Sequence, residues 1–339
     1  MMQVVVAILN YNGADLLRRF LPSVIACSPS TPDYRVRVVV IDNASTDSSR
    51  DVLEEEFPGV ELISLERNYG YSGGYNRGLD ALDGDVFVLL NSDVEVTPGW
   101  LNAPLRIFQD DPTVAAVQPK IRSAADRRFF DYAGAAGGYL DALGYPYCRG
   151  RMLKTIEEDN RQYDNDCSVT WASGACLFVR VSDWHLAGGL AEEFFAHMEE
   201  IEWCWRIQRM NRTIRFCAGS TVFHLGGGTL PAGNPRKVYL NFRNSLSLLY
   251  RHLKPGQLFT RLPLRLLLDA AAAAFFLFSG KGQSTLAVGK AWMSFLSTLK
   301  TERLKRRTYA SLPYPDHLPG KGLLVWTYFA RARKKYSDL

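Results

Sequence analysis

Four short stretches of the chain, Val4–Leu9, Val36–Ile41, Val60–Leu65 and Asp85–Leu90, are dominated by aliphatic residues. Between them, Asp15–Cys27, Ser48–Phe57 and Ser72–Leu82 place apolar residues at helical spacing. Ser45-Thr46-Asp47 offers an N-cap for the second of these helices. Aliphatic strands that lack polar alternation are buried on both faces, so the alternation predicts a parallel sheet covered by helices. Three of the strands end in polar residues: Asn10-Tyr11-Asn12, Asp42-Asn43 and Asn91-Ser92-Asp93. Ligands of open α/β sheets sit at such carboxyl ends.

The pattern then weakens. Residues 120–170, rich in Gly, Tyr, Arg and Asp, read as extended loop with short strands. Ala175–Val181 resumes a strand, Glu200–Met210 is helical, and Thr213–Phe216 and Ser220–His224 read as short strands. Beyond Pro235 the texture becomes helical: Lys237–Leu253, Gln257–Phe278 and Thr285–Arg307, punctuated by Pro255-Gly256 and Gly280–Gly282, then Leu323–Ala330. This predicts an α/β domain over 1–234 and a helical extension over 235–339.

Charge sharpens that division. Residues 1–234 carry 21 Lys/Arg and 31 Asp/Glu, a net of −10; residues 235–339 carry 19 and 4, a net of +15. Such a split points to different partners for the two regions. Hydrophobic residues make up 47% of the 339 and charged residues 22%, which excludes a disordered chain. The six cysteines show neither CxxC nor finger spacing, and the amino terminus enters a strand without a secretory signal. A cytoplasmic location with free thiols is expected.

Several segments carry candidate chemistry. Asp42 ends a buried strand, where a turn aspartate and a ligand-binding carboxylate are equally expected. The glycines of RNYGYSGGYNRG (67–78) suit a phosphate cradle at a helix start, or simply a tight strand-to-helix turn. The segment is neither GxGxxG nor a Walker loop, which counts against a nucleotide-dependent oxidoreductase. Asp93 reads either as a turn residue after a strand, the commoner case, or as a carboxylate for a metal-bridged diphosphate, since Mg²⁺ and Mn²⁺ use one or two carboxylates plus substrate phosphates. HMEEIEWCWR (197–206) crowds three glutamates against two tryptophans. A carboxyl so placed has a raised pKa, which suits a general base. His224 precedes Gly226-Gly227-Gly228, where backbone approaches a ligand closely.

Taken in order, AILNYNG (7–13), VVVIDNASTD (38–47), RNYGYSGGYNRG (67–78), LLNSDVEV (89–96), WASGACLFVR (171–180), FFAHMEEIEWCWR (194–206) and VFHLGGGT (222–229) resemble a family-2 glycosyltransferase of GT-A fold, the group that includes bacterial rhamnosyltransferases. The resemblance covers about residues 3–245. It implies a nucleotide-diphospho-sugar transferase: an α/β, Rossmann-like mixed sheet flanked by helices, here with a C-terminal helical extension. It implies an inverting transfer from a nucleotide-diphosphate sugar, dTDP-rhamnose as first choice, to a hydroxyl of a glycan or lipid-linked acceptor in cell-surface polysaccharide synthesis. A non-catalytic sugar-nucleotide binding protein on the same fold is the alternative.

Carried over residue by residue, Asp42 resembles the aspartate that contacts the nucleotide base. Asn10, Tyr11, Asn12, Asn43, Arg67, Gly73, Asn76, Asn91 and Ser92 are expected around the nucleotide. Asn91-Ser92-Asp93 stands at the family's DxD motif with Asn in the first position, which leaves Asp93 as the carboxylate for a divalent metal, Mg²⁺ or Mn²⁺. His224 resembles the histidine that completes the metal site. Glu200 stands at the general base, where the family has Asp, and Glu199 is its neighbour and competitor.

The uncharged run Ala270–Gly280 has 11 residues, against roughly 20 for a membrane span. The basic extension is therefore expected either to pack on the catalytic domain or to lie on the inner-membrane surface, which makes the protein peripheral there. No aromatic platform accompanies KTERLKRR (300–307), so no nucleic-acid partner is expected.

Overall fold

A computed structural model describes residues 1–226 and 233–339. Its first part alternates without exception: β1 (Met2–Asn10), α1 (Ala14–Cys27), β2 (Tyr34–Asp42), α2 (Ser49–Glu56), β3 (Glu61–Ser64), α3 (Gly70–Asp80) and β4 (Val86–Asn91). β1 pairs in parallel with β2 and β4, and β2 in parallel with β3. The pleat sends the residues of each aliphatic run to opposite faces. Val4, Val6 and Ile8 pack with α1, α2 and their neighbours, whereas Val5 and Ala7 pack with Tyr75 and Leu79 of α3. Both faces are dry, as the unbroken runs require.

After β4 come β5 (Val94–Val96), α4 (Asn102–Asp110) and β6 (Val114–Ser123). Four short strands, β7 (Gly138–Leu140), β8 (Pro146–Cys148), β9 (Arg151–Met152) and β10 (Thr155–Ile156), form a separate antiparallel sheet within the region expected to be extended. Next are β11 (Cys167–Ser168), β12 (Cys176–Arg180), α5 (Val181–Ala187), α6 (Glu199–Gln208) and β13 (Thr213–His224). β12 joins β4 antiparallel, so the main sheet is mixed: β11-β13-β6-β12-β4-β1-β2-β3, with β5 on β13. The purely parallel sheet suggested by the first strands is thus extended by a mixed half, in which β12 runs antiparallel to β4 and β6 while β6 and β13 run parallel. The two short strands expected at 213–216 and 220–224 are one strand, bulged between Cys217 and Thr221.

The remainder is helical: α7 (Pro235–His252), α8 (Pro255–Phe278), α9 (Gly282–Ser297), α10 (Leu299–Thr308) and α11 (Leu324–Phe329). The single helix expected over 285–307 breaks at Thr298. The Ser297 and Thr298 hydroxyls donate to carbonyls of the preceding turn, competing with the helical ladder. The break lets α10 bury Glu302, which clasps Arg251 of α7 through two bonds of 2.6 and 2.8 Å. Arg251 also bridges Glu193 at 2.6 Å, and His252 Nε2 donates to the Glu202 carboxylate of α6 at 3.1 Å. These helices are therefore fastened to the sheet-bearing part by buried charge. Among the described residues, no helix is long and apolar enough to cross a membrane.

Candidate active site

Strand register assembles the site. Asn10 lies opposite Asp42, and Leu9 opposite Asn91, so the polar ends of β1, β2 and β4 gather at one edge. The two residues after β4, Ser92 and Asp93, turn the chain into β5, where Val94 pairs with His224 of β13. Two residues separated by 131 positions thereby meet: His224 Nε2 lies 3.2 Å from Asp93 Oδ1.

The other imidazole nitrogen, Nδ1, lies 2.8 Å from Asp131 Oδ1, and the Asn91 amide lies 3.5 Å from Nε2. Asp131 is held in turn by its backbone bond to Ile121 and by the Ala133 N–H on its other oxygen. Burial opposes charge on Asp93, yet the His224 hydrogen bond and charge hold its carboxyl below the ordinary value. Burial likewise opposes charge on His224, but hydrogen bonds to Asp131 and Asp93 raise it to about 10. Without a cation, then, His224 is an imidazolium between two carboxylates.

This donor set fits a divalent ion of the Mg²⁺ or Mn²⁺ class. A carboxylate and an imidazole nitrogen converge, and the second imidazole nitrogen is oriented by a carboxylate behind it, as in many metal-bound histidines. Asp93 and His224 are only two ligands. Among the described residues no group of three or more His, Cys, Asp or Glu is arranged for a metal. Such an ion would complete its shell with water and substrate phosphate.

Asp42 is fully buried. Its oxygens accept from the Asn10 amide at 3.5 Å, from Ser45 N–H at 3.2 Å and from Arg50 Nε at 2.8 Å. What faces the solvent is Arg50, 44% exposed. Arg50, like Asp131, was not singled out from the sequence. Asn12 accepts from Thr46 N–H at 2.7 Å and donates its own N–H to Ser45, fixing the β1 turn, with Tyr11 exposed beside it.

The Gly-rich segment packs closely rather than opening a cradle. Asn43 organises its entry, donating to Asn68 and the Gly70 carbonyl and accepting from Tyr69 N–H. A side chain at Gly78 would overlap Ile41, and Gly73 packs on Tyr69. Asn76 exchanges bonds with Leu190 at 2.9 and 2.8 Å. Arg67 stacks over Tyr69. The amides at the start of α3 are not free for phosphate: Tyr71 and Ser72 donate to the Phe195 carbonyl at 2.7 and 3.3 Å. Ser92 forms the turn between β4 and β5.

That carbonyl belongs to a strained turn. Phe195, His197 and Met198 adopt φ of 63°, 69° and 72°, each unfavourable by about 1–3 kcal/mol for a residue with a side chain. From the other side the Asn244 amide of α7 donates to the Phe194, Ala196 and His197 carbonyls at 3.1, 3.0 and 2.7 Å. The turn delivers Glu199 and Glu200 at the start of α6. Among the described residues, Glu199 Oε2, Glu200 Oε2 and His197 Nε2 are buried without a hydrogen-bond partner. Orphaned polar atoms concentrated in this way mark a place built for something other than packing.

The two glutamates are distinguishable. Burial pushes Glu200 up to about 7, tempered by its own N–H and that of Ile201. Burial and the charge of Glu200 push Glu199 well above the ordinary glutamate value. Both carboxyls are thus harder to ionise than an exposed glutamate, and the like charge between them disfavours ionising the two together. Burial, with the charge of Lys237, lowers His197 to about 4 and keeps it neutral. Gly227 and Gly228 lie outside the described residues.

Residues 5–175 match the family model described as glycosyl transferase family 2. The chain is 27% identical over 235 residues, 65% of its length and 75% of the relative's, to the N-acetylglucosaminyl-diphospho-decaprenol L-rhamnosyltransferase of Mycobacterium tuberculosis. It is 28% identical over 216 residues, 61% of its length and 64% of the relative's, to the low-salt glycan biosynthesis hexosyltransferase Agl10 of Haloferax volcanii. In fold it is similar to GalNAc-T7 with UDP, GalNAc and Mn²⁺, with a TM-score of 0.59 at 18% identity, covering 75% of this chain but about half (49%) of that one. It is also similar to the mannosyltransferase PcManGT of Pyrobaculum calidifontis in complex with GDP-Man and Mn²⁺, with a TM-score of 0.52 at 18% identity over 91% and 84% of the two chains.

Proposed function

The chain belongs to glycosyl transferase family 2, and on that premise we propose that it is a metal-dependent, inverting transferase that moves a sugar from a nucleotide diphosphate to the hydroxyl of a lipid-linked glycan. The meeting of Asp93 with His224, braced by Asp131, carries this reading. Asp93 and His224 would hold the divalent ion, whose chemistry is to neutralise the diphosphate leaving group as a Lewis acid.

Around it the protein's own groups divide the work. Asp42 fixes Arg50, which with Asn10, Asn12 and Asn43 shapes the nucleotide end of the edge. Glu200 takes the proton from the acceptor hydroxyl at its buried, unpaired Oε2, as that hydroxyl attacks the anomeric carbon opposite the leaving diphosphate. One displacement inverts the configuration. Two such close carboxyls resist ionising together, so a protonated Glu199 would leave Glu200, at the family's base position, to act alone. The DxD motif with Asn91 first loses a ligand but gains an amide against His224.

The donor is dTDP-rhamnose by analogy with the mycobacterial relative's rhamnosyl activity, and the acceptor a polyprenyl-diphosphate saccharide by analogy with its decaprenol substrate. A lipid-borne acceptor places residues 1–234 at work beside the cytoplasmic membrane face, with 235–339 as the extension that meets it.

A panel of nucleotide sugars, tested first for thermal stabilisation with Mn²⁺ or Mg²⁺ and then for transfer, checks the proposal. The expected result is stabilisation by one donor and a product of inverted anomeric configuration by NMR. Donor binding with no transfer to any hydroxyl acceptor would favour a binding protein instead.

A further inference from the structure

The helix α8 is built inside out. Of its 24 residues only Arg265 and Asp269 are buried. They pair at 2.8 Å, and Arg265 also donates to the Leu143 carbonyl and lies over the Tyr145 ring. Arg261 donates to Ala142. The helix is thus attached to the β7–β8 turn by its charged residues; Leu258 packs inward on the core, while six of its large apolar residues face outward, Leu264 and Leu277 among them. Phe259 is 85% exposed, Leu267 66%, Phe275 59% and Phe278 89%. After the turn at Ser279–Lys281, α9 continues the pattern with Leu286 and Met293 exposed. A helix in a water-facing position does the opposite.

The charges around this surface are of one sign. The segment 255–308, which spans α8 to α10, contains two acids, Asp269 and Glu302. Both are buried in ion pairs, with Arg265 and Arg251. Lys281, Lys290, Lys300, Arg303 and Arg307 are exposed. The outer surface of the three helices therefore presents apolar and cationic groups and no anionic ones. Apolar burial combined with attraction to anionic headgroups is the chemistry of a helix lying in a membrane interface. Two copies of this face would oppose cation to cation, and an exposed phenylalanine and leucine ridge without acceptors suits lipid better than a phosphate backbone.

We propose that the outer face of the α8–α9 hairpin, from Phe259 through Phe278 to Met293, is a docking surface for an anionic lipid bilayer, lying in the interface rather than crossing it. It deepens the membrane-side placement of the proposed function, and it stands on lipid binding, not on transfer.

The test is flotation of the full chain with vesicles of phosphatidylcholine alone or with about 30 mol % phosphatidylglycerol, beside a variant carrying Leu267→Glu, Phe275→Glu and Phe278→Glu. These positions are exposed, so the fold is expected to persist, which circular dichroism and donor hydrolysis verify. Wild type should float with the anionic vesicles about tenfold more than with neutral ones, and the variant should lose at least that factor. Donor hydrolysis in free solution should be equal in both, so loss of flotation and loss of catalysis are read separately. Equal flotation of the two proteins overturns the proposal. So does a wild type that elutes as a dimer, becomes monomeric in the variant and never floats, since a second copy then covers the face. So does a wild type that is shifted by RNA but not by vesicles.

Discussion

The Asn244 side-chain amide donates to the His197 backbone carbonyl at 2.7 Å, across 47 residues, and so ties α7 to the turn that presents Glu199 and Glu200. The same amide reaches two further carbonyls of that turn, whose left-handed residues would otherwise relax. Asn244 acts here as a positioning residue.

Replacing it is expected to separate binding from chemistry. Asn244→Ala should lower kcat about 10- to 100-fold, because small misplacements of a base are expensive. KM for the donor should stay within about twofold. The apparent pKa on the acid side of the rate profile should fall as Glu200 gains water. A lowered melting temperature with an unmoved pKa and undiminished kcat would reduce Asn244 to a structural role.

Glu200 should govern the pH dependence. A general base works when deprotonated, so kcat/KM should rise with pH and level off above an apparent pKa near 7. Glu200→Gln should lose about 10²–10⁴-fold and abolish the inflection while nucleotide affinity persists. Glu199→Gln, which keeps a neutral group in place, should stay within about tenfold. If Glu199→Gln were the dead variant, the roles assigned to the pair would be exchanged.

Cation binding should compete with a proton. His224 is raised to about 10 between Asp93 and Asp131, so an ion taking Nε2 must release that proton. Mn²⁺ affinity, measured by calorimetry from pH 6.5 to 8.5, should tighten about tenfold per pH unit. Asp131→Asn should weaken affinity about 10- to 100-fold by removing the brace behind the ring. A flat profile would place the ion elsewhere.

Arg251 should matter for stability. Its guanidinium is fully buried among Glu302, Glu193 and Glu202. Arg251→Met leaves buried Glu302 without its ion pair, while Glu202 keeps Arg206 and Glu193 keeps Lys305, and should cost about 3–5 kcal/mol in urea denaturation. A loss below about 1 kcal/mol would show that water or rearrangement replaces the ion pairs.

The legible part of the molecule was that governed by local pattern. Aliphatic runs announced β1, β2 and β4, and their polar ends announced Asn10, Asp42 and Asp93, because a strand buried on both faces leaves no other place for polar groups. His224 was reachable through family resemblance, but its contact with Asp93 depends on the β5–β13 register, which no local pattern encodes. Asp131 sits among Phe129, Phe130 and Tyr132 in a stretch without periodicity, and nothing in its spacing points 93 residues ahead. Arg50 lies in the first turn of α2, and nothing in the local pattern aims its side chain back at Asp42. The glycines of 70–78 carried two readings, and the tight fit of α3 on Ile41 together with Phe195 occupying the helix start favours packing. The helix α4, nine residues long, and the long β6 were hidden by brevity and by the irregular region into which β6 runs.

The clasp between Arg251 and Glu302 has a practical corollary for anyone trimming the polypeptide. Cutting at the change in net charge near 234 would look rational on a sequence plot. It would strip Glu202 of two of its cationic or imidazole neighbours and remove Asn244 from the loop before α6. A shortened recombinant version is therefore expected to be poorly soluble and inert, and failure to recover activity from it would say nothing about the chemistry of the intact molecule.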